Sequence, residues 1–130
     1  MSKVDWIIHY VIPEEDDMEG MIDCHTHGLD AHNHPELMCV LALPQEVCAD
    51  LINSLGLRIL EGERFDEERI YTNIIANDLP VKVIRTKVGN NDMAVLIFPD
   101  QNGLLPEDSD CADVYNEQEI FLEEIKKRYN

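Results

Sequence analysis

The chain has 130 residues, 45% of them hydrophobic, and a net charge of −17 from 27 acids against 10 bases. That length suits one domain able to bury its own core. That charge argues against a surface for nucleic acid or for an anionic membrane, because both rest on Lys and Arg neutralising phosphate.

Aromatic residues make up only 6% of the chain, so the core is expected to be built from Leu, Ile and Val. The acids cluster at residues 14–19 and 61–68, and residues 99–124 hold acids with no Lys or Arg. Charge of this kind keeps a protein soluble; its sharper reading is a surface for a basic protein partner. Cys24, Cys39, Cys48 and Cys111 form no C-x-x-C pair, which argues against a zinc knuckle or a thioredoxin-like motif. No segment approaches the roughly 18 apolar residues of a membrane span, and the first residues lack the apolar run of a secretory leader. The expectation is a cytoplasmic protein with reduced thiols, folded as a single domain over residues 1–130.

In chain order, residues 4–12 are rich in β-branched and aromatic types and stop at Pro13, which predicts a strand. An acidic turn follows. Residues 21–27 read as a second strand closed by Gly28, residues 29–33 as a loop, and residues 36–43 as a central strand, the two strands pairing antiparallel. Pro44 suits the first position of a helix that runs to residue 60. Val47, Leu51, Leu55 and Ile59 recur every four residues on its inner face, widened by Cys48 and Ile52, and Gly62 is the expected C-terminal cap. Residues 64–78 give no clear pattern. Residues 81–88 and 93–98 predict a hairpin around Gly89-Asn90-Asn91-Asp92. A long acidic loop leads to a last helix, with Asn116 as its cap, Glu119 completing a capping box, and Phe121, Ile125 and Tyr129 on its inner face. The fold class is therefore α+β: a mainly antiparallel sheet of about five strands with two helices packed on it.

Four of the five histidines lie within ten residues, in Asp23-Cys24-His25-Thr26-His27-Gly28-Leu29-Asp30-Ala31-His32-Asn33-His34-Pro35-Glu36. On a strand, residues two apart share a face, so Asp23, His25 and His27 point one way and form a candidate divalent-metal set. The same segment offers a candidate ligand pocket in His25, His27, His34 and Glu36. Two known patterns come close and fail. The H-x-H-x-D-H string of metallo-β-lactamase-like hydrolases has one residue fewer before and after its Asp than this chain has around Asp30. The Asp23-x-His25-x-His27 string is similar to the opening of amidohydrolase-type barrels, which need about 250 residues. No nucleophile elbow, phosphate-binding glycine loop or dinucleotide fingerprint is present. Cys24 and Cys39 sit in apolar, strand-like segments, where a thiol is inert packing rather than a catalytic group.

The segments His25-Thr26-His27-Gly28-Leu29, His34-Pro35-Glu36-Leu37 and Leu43-Pro44, with Phe98-Pro99-Asp100-Gln101-Asn102-Gly103 and Pro106 further on, resemble a bacterial family known as domain of unknown function 4262. The resemblance spans roughly residues 4–115. It implies no activity, since the family has none assigned. It implies that His25 and His27 are replaceable, as relatives carry an aromatic or an apolar residue there, and it singles out Gly28, Pro35 and Glu36.

The expectation is a non-enzymatic intracellular binding or interaction protein, with no catalytic residues, no cofactor and no stoichiometric metal. Two alternatives stand beside it. One is a small metal-dependent or pocket-based enzyme centred on His25 to His34. The other is an acidic inhibitor or immunity-type protein with a basic partner.

Overall fold

The computed structural model describes residues 5–11 and 14–129. One sheet of six strands carries the fold: β1 (Ile7–Val11), β2 (Met21–His27), β3 (Glu36–Leu41), β4 (Ile70–Tyr71), β5 (Val81–Val88) and β6 (Asn91–Ile97). The order across it is β1-β2-β3-β6-β5-β4. Every neighbouring pair is antiparallel except β3 and β6, which run parallel with Glu36 beside Met93. The sheet is thus mixed, and it has one strand more than the sequence pattern showed. The extra strand is the two-residue β4, from the stretch without a clear pattern, and two residues are too few to display a period of two. The ends of the expected first strand at Val4 and Ile12, and its stop at Pro13, lie outside the described residues.

All six residues of β3 are buried, because both faces of the sheet are covered. Helix α1 (Gln45–Leu60) covers one face and α2 (Gln118–Arg128) the other. The assignment follows from two neighbours on β2. Cys48 of α1 lies against Cys24 and Cys39, whereas the Tyr129 hydroxyl at the end of α2 reaches Asp23. Adjacent strand residues point to opposite faces, so the two helices lie on opposite sides.

Helix α1 starts one residue later than expected, with Pro44 at the cap in extended geometry (ψ 145°). Its buried face is also turned. Cys48, Ile52, Leu55, Gly56 and Ile59 are buried, while Val47 is 47% exposed. Each helical residue advances about 100°, so a ladder of fours drifts about 40° per step and leaves the core; steps of four and three stay on it. Gly56 lies under the indole of Trp6, where an added Cβ would stand 2.4 Å from the ring. Trp6 itself donates from Nε1 to Asn53 Oδ1 at 3.0 Å. Gly62, at φ 105°, follows the C-terminal residue Glu61 as expected of a left-handed stop.

Two further expectations are corrected. The hairpin turn is Gly89-Asn90 alone, since Val88 already pairs with Asn91. Asn116 does not cap α2: a 3-10 turn over Tyr115–Glu117 precedes the helix, and Asn116 donates instead to the Cys111 carbonyl at 3.3 Å. The acidic loop before it is organised by buried Asp100, which accepts from the backbone N–H groups of Asn102, Leu104 and Ala112 at 2.8–2.9 Å. Gln118, wholly buried at the start of α2, grips the backbone of Phe98 from both sides, accepting at 2.8 Å and donating at 2.7 Å.

Candidate functional site

The sequence of residues 26–36 folds into a strand end, a 3-10 turn over Leu29–His32, and the entry to β3. Glu36 organises all three. One carboxylate oxygen accepts from Thr26 Oγ1 at 2.7 Å and from the backbone N–H of Leu29 at 3.0 Å. The other accepts from the N–H groups of Gly28 at 3.2 Å and Asp30 at 3.3 Å. Those amides open a helical turn and have no partner within it, so a carboxylate is the group that fits. Thr26 in turn accepts from the N–H of Leu37 at 2.9 Å, tying β2 to β3. Gly28 is needed here on two grounds: its φ is 124°, and a Cβ would meet the Trp6 backbone at 3.0 Å.

His34 is equally committed. Its Nδ1 lies 2.7 Å from the Pro35 carbonyl and its Nε2 accepts from the Phe65 N–H at 3.0 Å, which assigns the proton to Nδ1 and makes the ring neutral. Burial pushes its pKa below the ordinary value. Both groups therefore hold the fold, and neither is free to act as a base.

Beside them opens a cleft of about 450 Å³, walled by the turn before β3, by Asp66, by Arg85 of β5, by Asn90 of the β5–β6 turn and by Asn91 at the start of β6. Arg85 donates from one terminal nitrogen to the Asp66 carbonyl at 2.6 Å and from the other to Asp92 at 2.7 Å. Its Nε is buried and has no hydrogen-bond partner among the described residues. His34 and Glu36 reach this cleft, but His25 and His27 do not, so the four pocket candidates are split.

His25 and His27 stand near the free edge of the sheet, on the face that carries α2. Asp23 is buried there. It accepts from His25 Nδ1 at 2.7 Å through one oxygen and from the Tyr129 hydroxyl at 2.6 Å through the other. Burial alone would raise its pKa; the hydrogen bonds from His25 and Tyr129 outweigh that and lower it. Opposite them, His9 of β1 pairs in register with His25. The rings of His9 and His25 lie 5.1 Å apart, centre to centre, and those of His9 and His27 lie 6.1 Å apart. His32 is elsewhere, hydrogen-bonded to Asp5 at 2.8 Å. Among the described residues, no three His, Cys, Asp or Glu side chains already stand in a metal-ligating arrangement.

Cys24 and Cys39 face each other across β2 and β3, with Cys48 against both, and all three are buried free thiols. Hydrogen bonding to Cys48 and burial push the Cys24 and Cys39 thiols up. Closed off from solvent, they pack as small apolar groups.

Sequence reasoning missed His9, Arg85, Asn90 and Gln118. His9 alone had a signal, since it sits with Ile7 and Val11 on one face of an alternating segment. Arg85 and Gln118 depend on contacts across 7 to 20 residues that no local pattern carries, and Asn90 read only as a turn residue.

The architecture defines an α+β domain, a mixed sheet with one helix on each face and a polar cleft at the start of its parallel pair. The chain belongs to the family described as domain of unknown function (DUF4262), whose model matches residues 1–95. That match covers the Glu36 network, β3, α1 and most of the hairpin, and stops short of the Asp100 loop and α2. No curated protein and no solved structure matches the chain.

Proposed function

We propose that the protein is a non-enzymatic binding protein whose ligand is a small polar molecule held in the cleft beside β3 and β6. The observation that carries this reading is how the two buried titratable groups of the cleft, Glu36 and His34, are used. Glu36 is occupied by four donors and His34 by a partner on each nitrogen. A general base or nucleophile needs a free, suitably placed atom, and these two have none. What the cleft does offer is recognition: the carboxamides of Asn33, Asn90 and Asn91 and the guanidinium of Arg85. Its volume of about 450 Å³ suits a ligand of metabolite size. A reducing, intracellular setting accords with four free thiols, two of them directly opposite across paired strands.

The test is an amide-resolved NMR titration of the whole chain against a panel of polar metabolites. A binder should shift the amides of Asn33, Arg85, Asn90 and Asn91 together and be recovered chemically unchanged. Arg85→Ala should weaken it at least about tenfold. Turnover of the ligand, or shifts confined to other surfaces, would defeat the reading.

A further inference from the structure

We propose that His9, His25 and His27 form a binding site for one divalent cation of the zinc class, with Asp23 and Tyr129 as the outer groups that orient His25. This lies outside the cleft and does not depend on its ligand.

The register carries the argument. His25 and His27 alternate onto one face of β2, and antiparallel pairing sets His9 directly opposite His25 on the same face. Two imidazoles two apart on one strand thus share a face with a third on its neighbour, which lies near both. A zinc-bound imidazole nitrogen lies about 2.0–2.1 Å from the ion, so ring centres sit roughly 3 Å from it and about 5 Å from one another at a tetrahedral angle. The observed centre-to-centre separations of 5.1 and 6.1 Å are close to that requirement.

The outer groups are the second, independent observation. A metal-bound histidine characteristically donates its other ring N–H to a carboxylate, which sets its tautomer and orientation. His25 does so already: its Nδ1 is held by Asp23, and Asp23 by the Tyr129 hydroxyl. That leaves Nε2 as the lone-pair nitrogen, and no hydrogen bond among the described residues engages it. Asp23 is thereby an orienting group rather than the ligand that alternation alone made it.

The three rings do not yet meet at one point. His9 and His27 are exposed, so their rings turn about the side-chain bonds without opening the buried core. Three protein nitrogens complete a site with its fourth position open to solvent, the pattern that distinguishes accessible zinc from structural zinc. His32 and His34 stay out of it, tied to Asp5 and to the backbone.

The experiment is calorimetric titration of the full chain, free of any histidine tag, with Zn²⁺, followed by Co²⁺ substitution. One equivalent should bind, with the intense visible bands of a tetrahedral cobalt centre. His9→Ala, His25→Ala and His27→Ala should each weaken binding at least about a hundredfold. Asp23→Asn and Tyr129→Phe should weaken it about 10–100-fold, as loss of an outer partner does. His32→Ala should leave it unchanged. Circular dichroism separates loss of binding from loss of fold, and Tyr129→Phe, at an exposed residue, keeps the test open if Asp23→Asn unfolds. Zinc binding in His9→Ala equal to that of the parent chain, or no binding above the level of the triple alanine variant, overturns the proposal.

Discussion

At the residue scale, the balance of hydrogen bonds in the segment from Thr26 to Leu37 decides what each polar group is for. Thr26 donates to Glu36 and accepts from Leu37, so Thr26→Val removes a donor and an acceptor from a buried network. It should cost about 1–3 kcal/mol in urea unfolding; a loss under about 0.5 kcal/mol would mean the network is not what joins β2 to β3. His34 predicts a pH signature. Its pKa is lowered in the fold from an ordinary 6.5, so the unfolded chain takes up a proton first as pH falls. Stability is fully present above about pH 6.5 and declines as pH falls from there through the folded value. Asp23 and Asp100 behave in a lower window. Their folded pKa values lie below 3.8, through His25 and Tyr129 for the first and the Leu104, Ala112 and Asn102 backbone for the second. Their contribution is present above about pH 3.8 and lost as pH falls through those folded values. Urea midpoints measured against pH should therefore fall in two stages, and His34→Gln should remove the upper one while leaving the lower. A single stage in the parent chain would contradict the assignment of a neutral, buried His34. The roles of Glu36 and His34 were only half legible beforehand. A carboxylate beside an apolar strand signals a network, but which amides it binds depends on how the turn closes.

At the scale of elements, α1 shows where periodicity succeeds and where it slips. The helix itself was plain, because apolar residues recur at helical spacing for four turns. Its exact face was not, because several apolar residues flank the stripe and only packing chooses among them. Ile52, wholly buried, should cost about 2–5 kcal/mol when changed to Ala, whereas Val47→Ala at an exposed position should stay within about 0.5 kcal/mol. Equal losses would show the face misplaced. Gly56 is a sharper case. Helix propensity alone favours Gly56→Ala by about 1 kcal/mol. The Trp6 ring, however, has atoms 2.4, 2.8 and 2.9 Å from the Cβ that would appear. The indole would have to move and strain its bond to Asn53, so the substitution should destabilise by about 1–3 kcal/mol and alter the fluorescence of this single Trp. A stabilised variant with unchanged fluorescence would show that the indole does not rest on the helix. The last helix makes the converse point. Asn116 with Glu119 has the form of a capping box, yet a 3-10 turn moves the start to Gln118, because Gln118 is drawn inward to hold Phe98.

At the scale of the whole molecule, charge and topology govern what the protein meets. With a net charge of −17, it should show no binding to duplex DNA at physiological salt; a salt-sensitive micromolar complex with plain duplex would overturn that. Composition by itself carries this expectation, since charge is additive over residues and needs no fold. Alternation and helical spacing determined the second and third strands, both main helices and the α+β class, because those signals are local and repeat several times within one element. Only the tertiary structure decided the rest. The parallel seam between β3 and β6 joins segments more than 50 residues apart, and no local pattern states which strands will be neighbours. The same seam creates the cleft, by bringing Arg85 and the Asn90 turn beside Glu36. The pairing of β1 with β2 divided the histidines, giving His9 to His25 and His27 and leaving His34 to the backbone. Sequence proximity had grouped His25 with His34. Register separated them, because a strand and a turn carry two residues nine positions apart to different parts of the sheet.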